Sequence, residues 1–279
     1  MPELPEVETI KRQLAPIVEG RKLERLEILD PRWSRPLAPG ELSSALEGRR
    51  VERLDRRGKY LVWSFSGEVY LAQHLRMTGS VLVDPKPEPA HTRVRIRLRP
   101  KLLLAIADPR RFGTGELLLG AEALARFIDA RLGLEPFDDE FTAERLRALA
   151  RGRTAPIKAF LLDQRRIAGV GNIYADEALH KAGVHPLRPA GKLSLERYGR
   201  LREAVLDALG AGIDAKGASI SDYRDVDGVK GSFQDSFSVH RRAGEPCPEC
   251  GTTIVKLKVA GRGTYVCETC QPRPRLRRA

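Results

Sequence analysis

Residues 247–270 read CPECGTTIVKLKVAGRGTYVCETC, and this stretch contains all four cysteines of the 279-residue chain. They form two Cys-x-x-Cys pairs, Cys247/Cys250 and Cys267/Cys270, with sixteen residues between the pairs. Each short turn can direct two thiolates at one tetrahedral ion, so two turns complete a four-thiolate site. Two disulfides are the alternative, but confinement to one short segment and an expected cytosolic setting argue against them. The spacing predicts one structural Zn2+ with no open coordination position.

The residues between the cysteine pairs have the pattern of a β-hairpin. Thr252–Val259 and Tyr265–Val266 suit strands, and the glycines at positions 261 and 263 suit the turn that joins them. A hairpin placed between two such pairs is a zinc ribbon. The tail that follows, residues 271–279, adds four arginines and is expected to be unfolded.

Upstream of the ribbon, apolar residues recur at helical spacing from about position 121. Candidate helices cover residues 124–132 and 143–149, and a longer one follows Ser194, a suitable N-cap. The segment GVGNIYADE (169–177) predicts a helix from Ile173 with Asn172 as N-cap. Its glycines would expose backbone N–H groups at a helix start, a geometry that binds phosphate, although an ordinary glycine-rich turn fits equally well.

The N-terminal half has a different period. Val94, Ile96 and Leu98 alternate with arginines, which predicts a half-buried strand with a cationic face, and similar runs occur between about residues 23 and 119. The first twenty residues instead predict a helix, with Pro5 in its first turn. Glycines and aspartates from position 214 to 231 indicate a long mobile loop with a functional role.

Composition narrows the class of protein. Lys and Arg total 49 against 37 Asp and Glu, giving a net charge of +12 that favours a polyanionic partner. A GC-rich genome, which favours Arg, or a solvated surface would produce the same excess. No run of about 18 apolar residues occurs, and Met1–Glu6 has no signal-peptide pattern, so we expect an intracellular protein with no membrane partner.

Three short features could carry chemistry. Removal of Met1 would expose Pro2 as an α-amine, a group that is partly unprotonated at neutral pH and can attack an electrophilic carbon. Many chains begin Met-Pro, so this feature alone is weak. Phe112 beside Arg110 could stack on bases, or could simply be buried. Lys59 is either a solvated surface charge or a phosphate contact.

Six segments taken together resemble the bacterial formamidopyrimidine-DNA glycosylases, relatives of endonuclease VIII. They read MPELPEVET (1–9), RRGKYL (56–61), HLRMTGS (74–80), DPRRFG (108–113), LLDQRRIAGVGNIYADEAL (161–179) and CPEC with GRGTYVCETCQ (247–271). The resemblance implies an α+β multidomain fold: a β-sandwich with a catalytic N-terminal helix (1–132), a helix-two-turn-helix domain (133–232), and a zinc ribbon with a basic tail (233–279). DNA would lie between the first two.

The resemblance also implies a reaction. Such enzymes flip an oxidised purine (8-oxoguanine or a formamidopyrimidine) out of duplex DNA, excise it and nick the strand by β,δ-elimination, as part of base excision repair. Pro2 would be the nucleophile that forms a Schiff base with the sugar, and Glu3 the proton donor. Glu6 would order the N-terminus. Lys59 and Arg262 would act at the target phosphates.

Further residues match DNA-contacting positions of the family. Asn172 would bind phosphate, and a second set would fill the gap left by the flipped base: Met77, Arg110 and Phe112. His91 and Arg153 match further contact positions. The loop over the damaged base, expected to involve Ser219, Ser221 and Tyr223, departs from the usual family pattern because Ser221 replaces a basic residue. His240 also stands where the family usually has Tyr.

Two rival functions remain at this point. An endonuclease VIII-like glycosylase would excise oxidised pyrimidines, but those enzymes typically begin Met-Pro-Glu-Gly, whereas Leu4 stands here. A noncatalytic homologue would bind damaged DNA without cutting it; the presence of Pro2, Glu3 and Lys59 argues against this. We expect a cytoplasmic, nucleoid-associated bacterial monomer whose partner is damaged double-stranded DNA.

Overall fold

The computed structural model describes residues 1–220 and 222–274. Its helices are α1 (Leu4–Val18), α2 (Pro39–Leu46), α3 (Ala121–Arg131), α4 (Ala143–Ala150), α5 (Ile157–Leu162), α6 (Asn172–Lys181) and α7 (Leu195–Asp214). Its strands are β1 (Lys22–Ile28), β2 (Val51–Arg57), β3 (Tyr60–Phe65), β4 (Val69–His74), β5 (Ser80–Val83), β6 (Thr92–Arg99), β7 (Leu102–Ala107), β8 (Thr114–Leu119), β9 (Val255–Val259) and β10 (Arg262–Val266). Short 3-10 helices cover Ala190–Lys192 and Phe233–Ser236.

Helix α1 forms because its start is capped and one face is apolar. The Glu6 carboxylate accepts the Glu3 backbone N–H, and Pro5 occupies a first-turn position where its missing N–H costs nothing. Residues at helical spacing are fully buried: Leu4, Val7, Ile10, Leu14 and Val18. Pro16 lies in the last turn, and the helix ends two residues later.

The strands of the N-terminal half form two antiparallel four-stranded sheets, in the orders β1-β6-β7-β5 and β2-β3-β4-β8. Alternating residues of both sheets enter one apolar core, which also receives α1 and the side chains of Tyr223 and Val226. The β-sandwich predicted for this half is confirmed, and the catalytic residues expected near the N-terminus therefore start from a helix that is packed into the core.

The arginines of β6 are on the predicted side of the strand, but that face is not a free cationic surface. Arg95 pairs with both Glu27 of β1 and Glu88, at 3.1 and 2.8 Å. Arg97 pairs with the same Glu27 at 3.2 Å, and hydrogen bonds from Arg95 and Arg97 lower the pKa of its carboxyl group. Antiparallel pairing brings these opposite charges together, so the face is largely neutralised.

The chain divides into two compact units: residues 1–130 with 212–234, and residues 131–211 with 235–279. The second unit contains the helices from α4 to α6, most of α7, and the β9–β10 hairpin. Residues 212–232 fall within the predicted helical domain in sequence, yet they pack in the first unit. Among the residues that the structure describes, no helix combines the length and apolar character that a bilayer span requires.

Candidate functional site

The start of α1 is held by one buried carboxylate. Glu6 is 1% exposed, and its two oxygens accept different backbone N–H groups: Oε2 that of Glu3 and Oε1 that of Ala218, both at 2.7 Å. Pro2 and Glu3 are buried beside it, while Met1 is exposed. Glu6 therefore fixes both the N-terminal residues and a loop more than 200 positions away, a pairing that sequence reasoning could not find.

The loop that contains Ala218 is tied down by its own polar groups. The Ser219 hydroxyl donates to the Tyr223 carbonyl at 2.9 Å and accepts from Gly231 N–H at 3.0 Å. Gly217 has a φ of +85°, and a Cβ there would lie 2.7 Å from Glu6 Cγ, so the close approach requires glycine. Tyr223 is buried, which raises the pKa of its hydroxyl. Ser221 lies outside the described residues.

Lys59 lies at the β2–β3 turn and is 5% exposed, so it is not a solvated surface charge. Its positive charge acts on His74, the strand partner of Tyr60. Burial, with smaller contributions from Arg76 and Lys59, lowers the pKa of His74 to about 3, which keeps this imidazole neutral. His74 Nδ1 accepts the Arg76 backbone N–H at 2.9 Å, so Nε2 carries the proton. The sequence analysis did not single out His74.

Three residues that the sequence predicts as gap-filling meet in one exposed cluster. The Arg110 guanidinium lies 4.7 Å from the centre of the Phe112 ring, and its Nη1 lies 3.1 Å from Met77 Sδ. Met77 is 41% exposed and Phe112 48% exposed. The buried alternative for Phe112 is thus wrong. An arginine flanked by two flexible or flat apolar groups can enter a base stack.

The backbone under this cluster is rigid. The buried Asp108 carboxylate accepts from the backbone N–H groups of Phe112 at 2.8 Å and Gly113 at 2.7 Å, and also from the Thr78 hydroxyl. Arg111 turns the other way and forms a two-pronged pair with Asp30, which lowers the pKa of the Asp30 carboxyl to about 2. Of the two arginines in this loop, Arg110 therefore belongs to the exposed cluster, whereas Arg111 is used in a structural ion pair.

In the second unit, α6 begins at Asn172 itself, with Gly171 as N-cap, so the expected N-cap role of Asn172 is wrong. Its side chain instead reaches the zinc-ribbon turn, where Nδ2 donates to the Gly263 carbonyl at 3.0 Å. Its Oδ1 is buried and has no hydrogen-bond partner among the described residues. Gly183 closes the helix at C′ with a φ of +64°.

The turn that carries Arg262 is held by a buried lysine. Lys158 is fully buried, and its Nζ contacts Asp176 Oδ1 at 2.7 Å, Thr264 Oγ1 at 2.8 Å and the Gly263 carbonyl at 3.2 Å. Asp176 Oδ2 lies 2.8 Å from His240 Nδ1. Arg262 is exposed at the start of β10. Its backbone thus rests on a buried polar network, while its guanidinium faces solvent.

The four cysteines converge as their spacing predicts. Their Sγ atoms all lie within 4.8 Å of one another, and three of the pairs are separated by 3.4 to 3.8 Å. These separations exceed the roughly 2.05 Å of a disulfide. They match the edge of about 3.8 Å that a tetrahedron with Zn–S bonds of about 2.3 Å requires. The donor set therefore fits one structural Zn2+.

Family models match most of the chain. Residues 1–115 match the formamidopyrimidine-DNA glycosylase N-terminal domain, 132–224 the H2TH domain of the same enzymes, and 244–273 a zinc finger found in FPG and IleRS. The chain is 45% identical over 275 residues to the formamidopyrimidine-DNA glycosylase of Chloroflexus aurantiacus, covering 97% of this chain and 98% of that one. The chain belongs to the formamidopyrimidine-DNA glycosylase (Fpg) family.

Solved Fpg structures share the fold over the whole chain. The Fpg protein of Thermus thermophilus has a TM-score of 0.88 at 41% identity, covering 98% of this chain and all of that one. A Lactococcus lactis Fpg mutant in complex with DNA containing Fapy-dG has a TM-score of 0.90 at 35% identity, with the same coverage. The resemblance, the fold class and the zinc ribbon predicted from the sequence are confirmed.

The remaining residues predicted to contact DNA are His91 in the first unit and Arg153 in the second. His91 has an exposed side chain, and its carbonyl accepts from Asp108 N–H at 2.9 Å, next to the loop of Phe112. Arg153 uses its Nε to donate to the Leu149 carbonyl at 2.8 Å, at the end of α4. Its DNA-contacting role remains a prediction, as do the roles of the other site residues.

Proposed function

We propose that this chain is a bifunctional DNA glycosylase and AP lyase that excises oxidised purines from double-stranded DNA in base excision repair. The observation that carries the assignment is the buried N-terminal turn, in which one carboxylate holds Glu3 and the loop at Ala218. Once Met1 is removed, that turn presents a secondary amine beside a carboxylic acid. An amine with a nearby proton donor is what attack on a sugar carbon requires.

The first step breaks the glycosidic bond. The Pro2 nitrogen attacks C1′ of the flipped nucleotide and becomes an ammonium, and the bond to the base breaks with its electron pair leaving on the base. The base then takes up the proton that the Pro2 ammonium loses. Glu3 gives a proton to the sugar ring oxygen, so the ring opens and an iminium forms between Pro2 and C1′. Flipping is necessary because C1′ is shielded inside the stack.

The second step cuts the strand. The iminium withdraws electrons and acidifies the C2′ hydrogens, so loss of one proton expels the 3′ phosphate by β-elimination and a second elimination expels the 5′ phosphate. We assign Lys59 to the phosphate near the reacting sugar, because a buried ammonium attracts an anion strongly. Asn172 and Arg262 of the second unit would hold phosphates, while Zn2+ supplies structure only.

The exposed cluster of Met77, Arg110 and Phe112 would enter the space that the flipped base leaves. Arg110 offers guanidinium donors, which suit the acceptor edge of an orphaned cytosine. Phe112 and Met77 supply flat and flexible apolar surface beside it. The role supported for the cluster is therefore to stabilise the opened duplex. It does not take part in the bond chemistry.

Covalent trapping tests this assignment. The protein is incubated with a duplex containing 8-oxoguanine opposite cytosine in the presence of borohydride, which reduces the iminium to a stable amine. We expect an adduct that peptide mass spectrometry maps to Pro2 in a chain lacking Met1. An adduct on any other residue, or none with any lesion, would refute the proposed mechanism and favour a binding-only homologue.

Lesion preference is tested with a panel that includes oxidised pyrimidines, because one similar structure is a complex of Lactococcus lactis Fpg with DNA containing an oxidised pyrimidine. We expect oxidised purines to be excised faster. The similar chains come from bacteria, whose DNA lies in the cytoplasm. We accordingly place the protein there with the nucleoid and expect it to act as a monomer.

A further inference from the structure

One face of α6 contacts the zinc ribbon at three successive levels. Asn172, Asp176 and His180 follow each other at four-residue intervals, which places them on the same side of the helix. Asn172 reaches the Gly263 carbonyl, and Asp176 pairs with His240. His180 Nε2 lies 3.4 Å from Cys247 Sγ, within hydrogen-bonding distance for sulfur. The last contact involves a predicted zinc ligand and has no part in the proposed DNA chemistry.

A four-thiolate zinc site needs hydrogen-bond donors. Four thiolates around Zn2+ leave a net charge of −2, which N–H groups directed at the sulfurs stabilise. Cys250 receives such bonds from the backbone and side chain of Thr252, and Cys267 from the backbone of Thr269 and Cys270. Cys247 is 2% exposed, so water reaches it little. The His180 ring nitrogen that lies 3.4 Å from this buried sulfur can supply an N–H donor, and His180 is itself only 6% exposed.

We propose that His180 is a positioning residue of the zinc site, whose Nε2–H donates to the zinc-bound thiolate of Cys247. The bond stabilises the charged cluster and holds the first cysteine pair against the C-terminal end of α6. The same helix holds the Arg262 turn through Asn172 at its other end. Metal retention and the placement of the phosphate-binding turn thus depend on one helix. This inference does not rest on the proposed glycosylase activity.

A cavity of about 600 Å³ gives small molecules a route to this side of the cluster. It is lined by His180, Lys181, Gly183, Ser238, Glu249 and Cys270. Because His180 forms part of the cavity wall, a substitution at this residue should alter how readily a chelator from solvent removes the zinc. The rate of zinc loss to a chromogenic chelator is therefore a direct measurement of what His180 contributes.

The test compares three variants of the zinc-loaded, full-length protein. His180→Phe keeps a ring but removes the donor, and His180→Gln keeps a donor at a similar reach. Lys181→Ala is the matched control, because that neighbour is exposed and pairs instead with Asp207. We expect zinc loss to rise about 10- to 100-fold in His180→Phe. His180→Gln and Lys181→Ala should stay within about threefold of the parent, by the same reasoning.

Three outcomes would overturn the proposal. The first is zinc loss from His180→Phe at the parental rate. The second is equally fast zinc loss from His180→Gln, which would show that ring packing is responsible. The third is equally fast zinc loss from Lys181→Ala, which would show that any disturbance of the helix is enough. A measurement on the unmutated protein covers the case in which His180→Phe does not fold. In protein loaded with 113Cd, NMR should show a proton on His180 Nε2 that is scalar-coupled to the metal. An unprotonated Nε2 would refute the hydrogen bond.

Discussion

The N-terminal turn of the first unit and the ribbon turn of the second are held in place by different kinds of buried charged group. Each presents a residue proposed for the chemistry, Pro2 or Arg262, from a backbone held by one buried charged group. Glu6 holds the first turn through two backbone N–H groups. Lys158 holds the second through a carbonyl, a hydroxyl and a carboxylate, and a four-cysteine site stands behind it.

The two turns should therefore respond differently to mutation. The first depends on the Glu6 carboxylate, whose second partner lies far along the chain, so a small change there should affect the chemistry with little effect on folding. The second has several supports in one buried network, so removal of a member leaves an uncompensated charge and should affect stability first. The predictions below test this distinction.

The largest effect is expected at the nucleophile. Acetylation of the Pro2 amine removes the lone pair proposed to bond to C1′ and should lower strand cutting by about a thousandfold or more. Pro2→Gly leaves a primary amine on an unconstrained residue, and it should also cut poorly. Binding to damaged DNA should remain, because the phosphate-contacting residues are unchanged. Single-turnover cutting assays and gel-shift binding measure the two. Efficient cutting by the acetylated protein would contradict the mechanism.

The next effect is on stability in the second unit. Lys158→Met removes the cation from a fully buried pair and leaves the Asp176 carboxylate beside His240 without it. We expect the free energy of unfolding to fall by about 3–5 kcal/mol. Denaturant unfolding followed by circular dichroism measures this. A decrease in unfolding free energy below about 1 kcal/mol, as is typical of exposed ion pairs, would show that this buried network does not support the ribbon turn.

Glu6→Gln should separate the two activities. The amide keeps an acceptor but loses the charge and one of the two bonds, a change worth about 1–3 kcal/mol. The bond to Ala218 N–H concerns the loop, so excision of 8-oxoguanine should fall more than cutting at a preformed abasic site. The ratio of the two single-turnover rates measures this. An equal loss on both substrates would mean that Glu6 acts on the N-terminus alone.

The last effect depends on pH and is small near neutrality. His74 has a folded pKa of about 3, below the value of about 6.5 expected when unfolded, so the folded state disfavours its protonation. Its stabilising contribution is complete above pH 6.5 and declines as pH falls toward 3, by up to about 1.4 kcal/mol per pH unit. NMR of the imidazole nitrogens should show His74 neutral at pH 5 in folded protein and protonated in urea. Protonation in the folded state at pH 5 would contradict this.

Local patterns in the sequence predicted much of the architecture. Period-two alternation indicated β6, because one face of that strand is buried and the other is not. Short apolar runs indicated β3 and β7, which are buried along almost their whole length. The paired cysteines predicted the ribbon, because chelate geometry depends on short-range spacing. Helix α2 was missed: its eight residues, PGELSSAL, bury little beyond Leu42 and Leu46, so its periodic signal is short.

Local sequence was enough to predict most of the helices and strands, the metal-binding spacing and the candidate residues in their motifs. Which buried polar groups meet depends on the folded chain. Glu6 and Ala218 are 212 positions apart, and Lys158 and Thr264 are 106 apart. The fold also decided that two arginines of β6, Arg95 and Arg97, pair with Glu27 and Glu88. Such pairings depend on the path of the chain through space, since the residues around a charge do not specify the distant partner that it meets after folding.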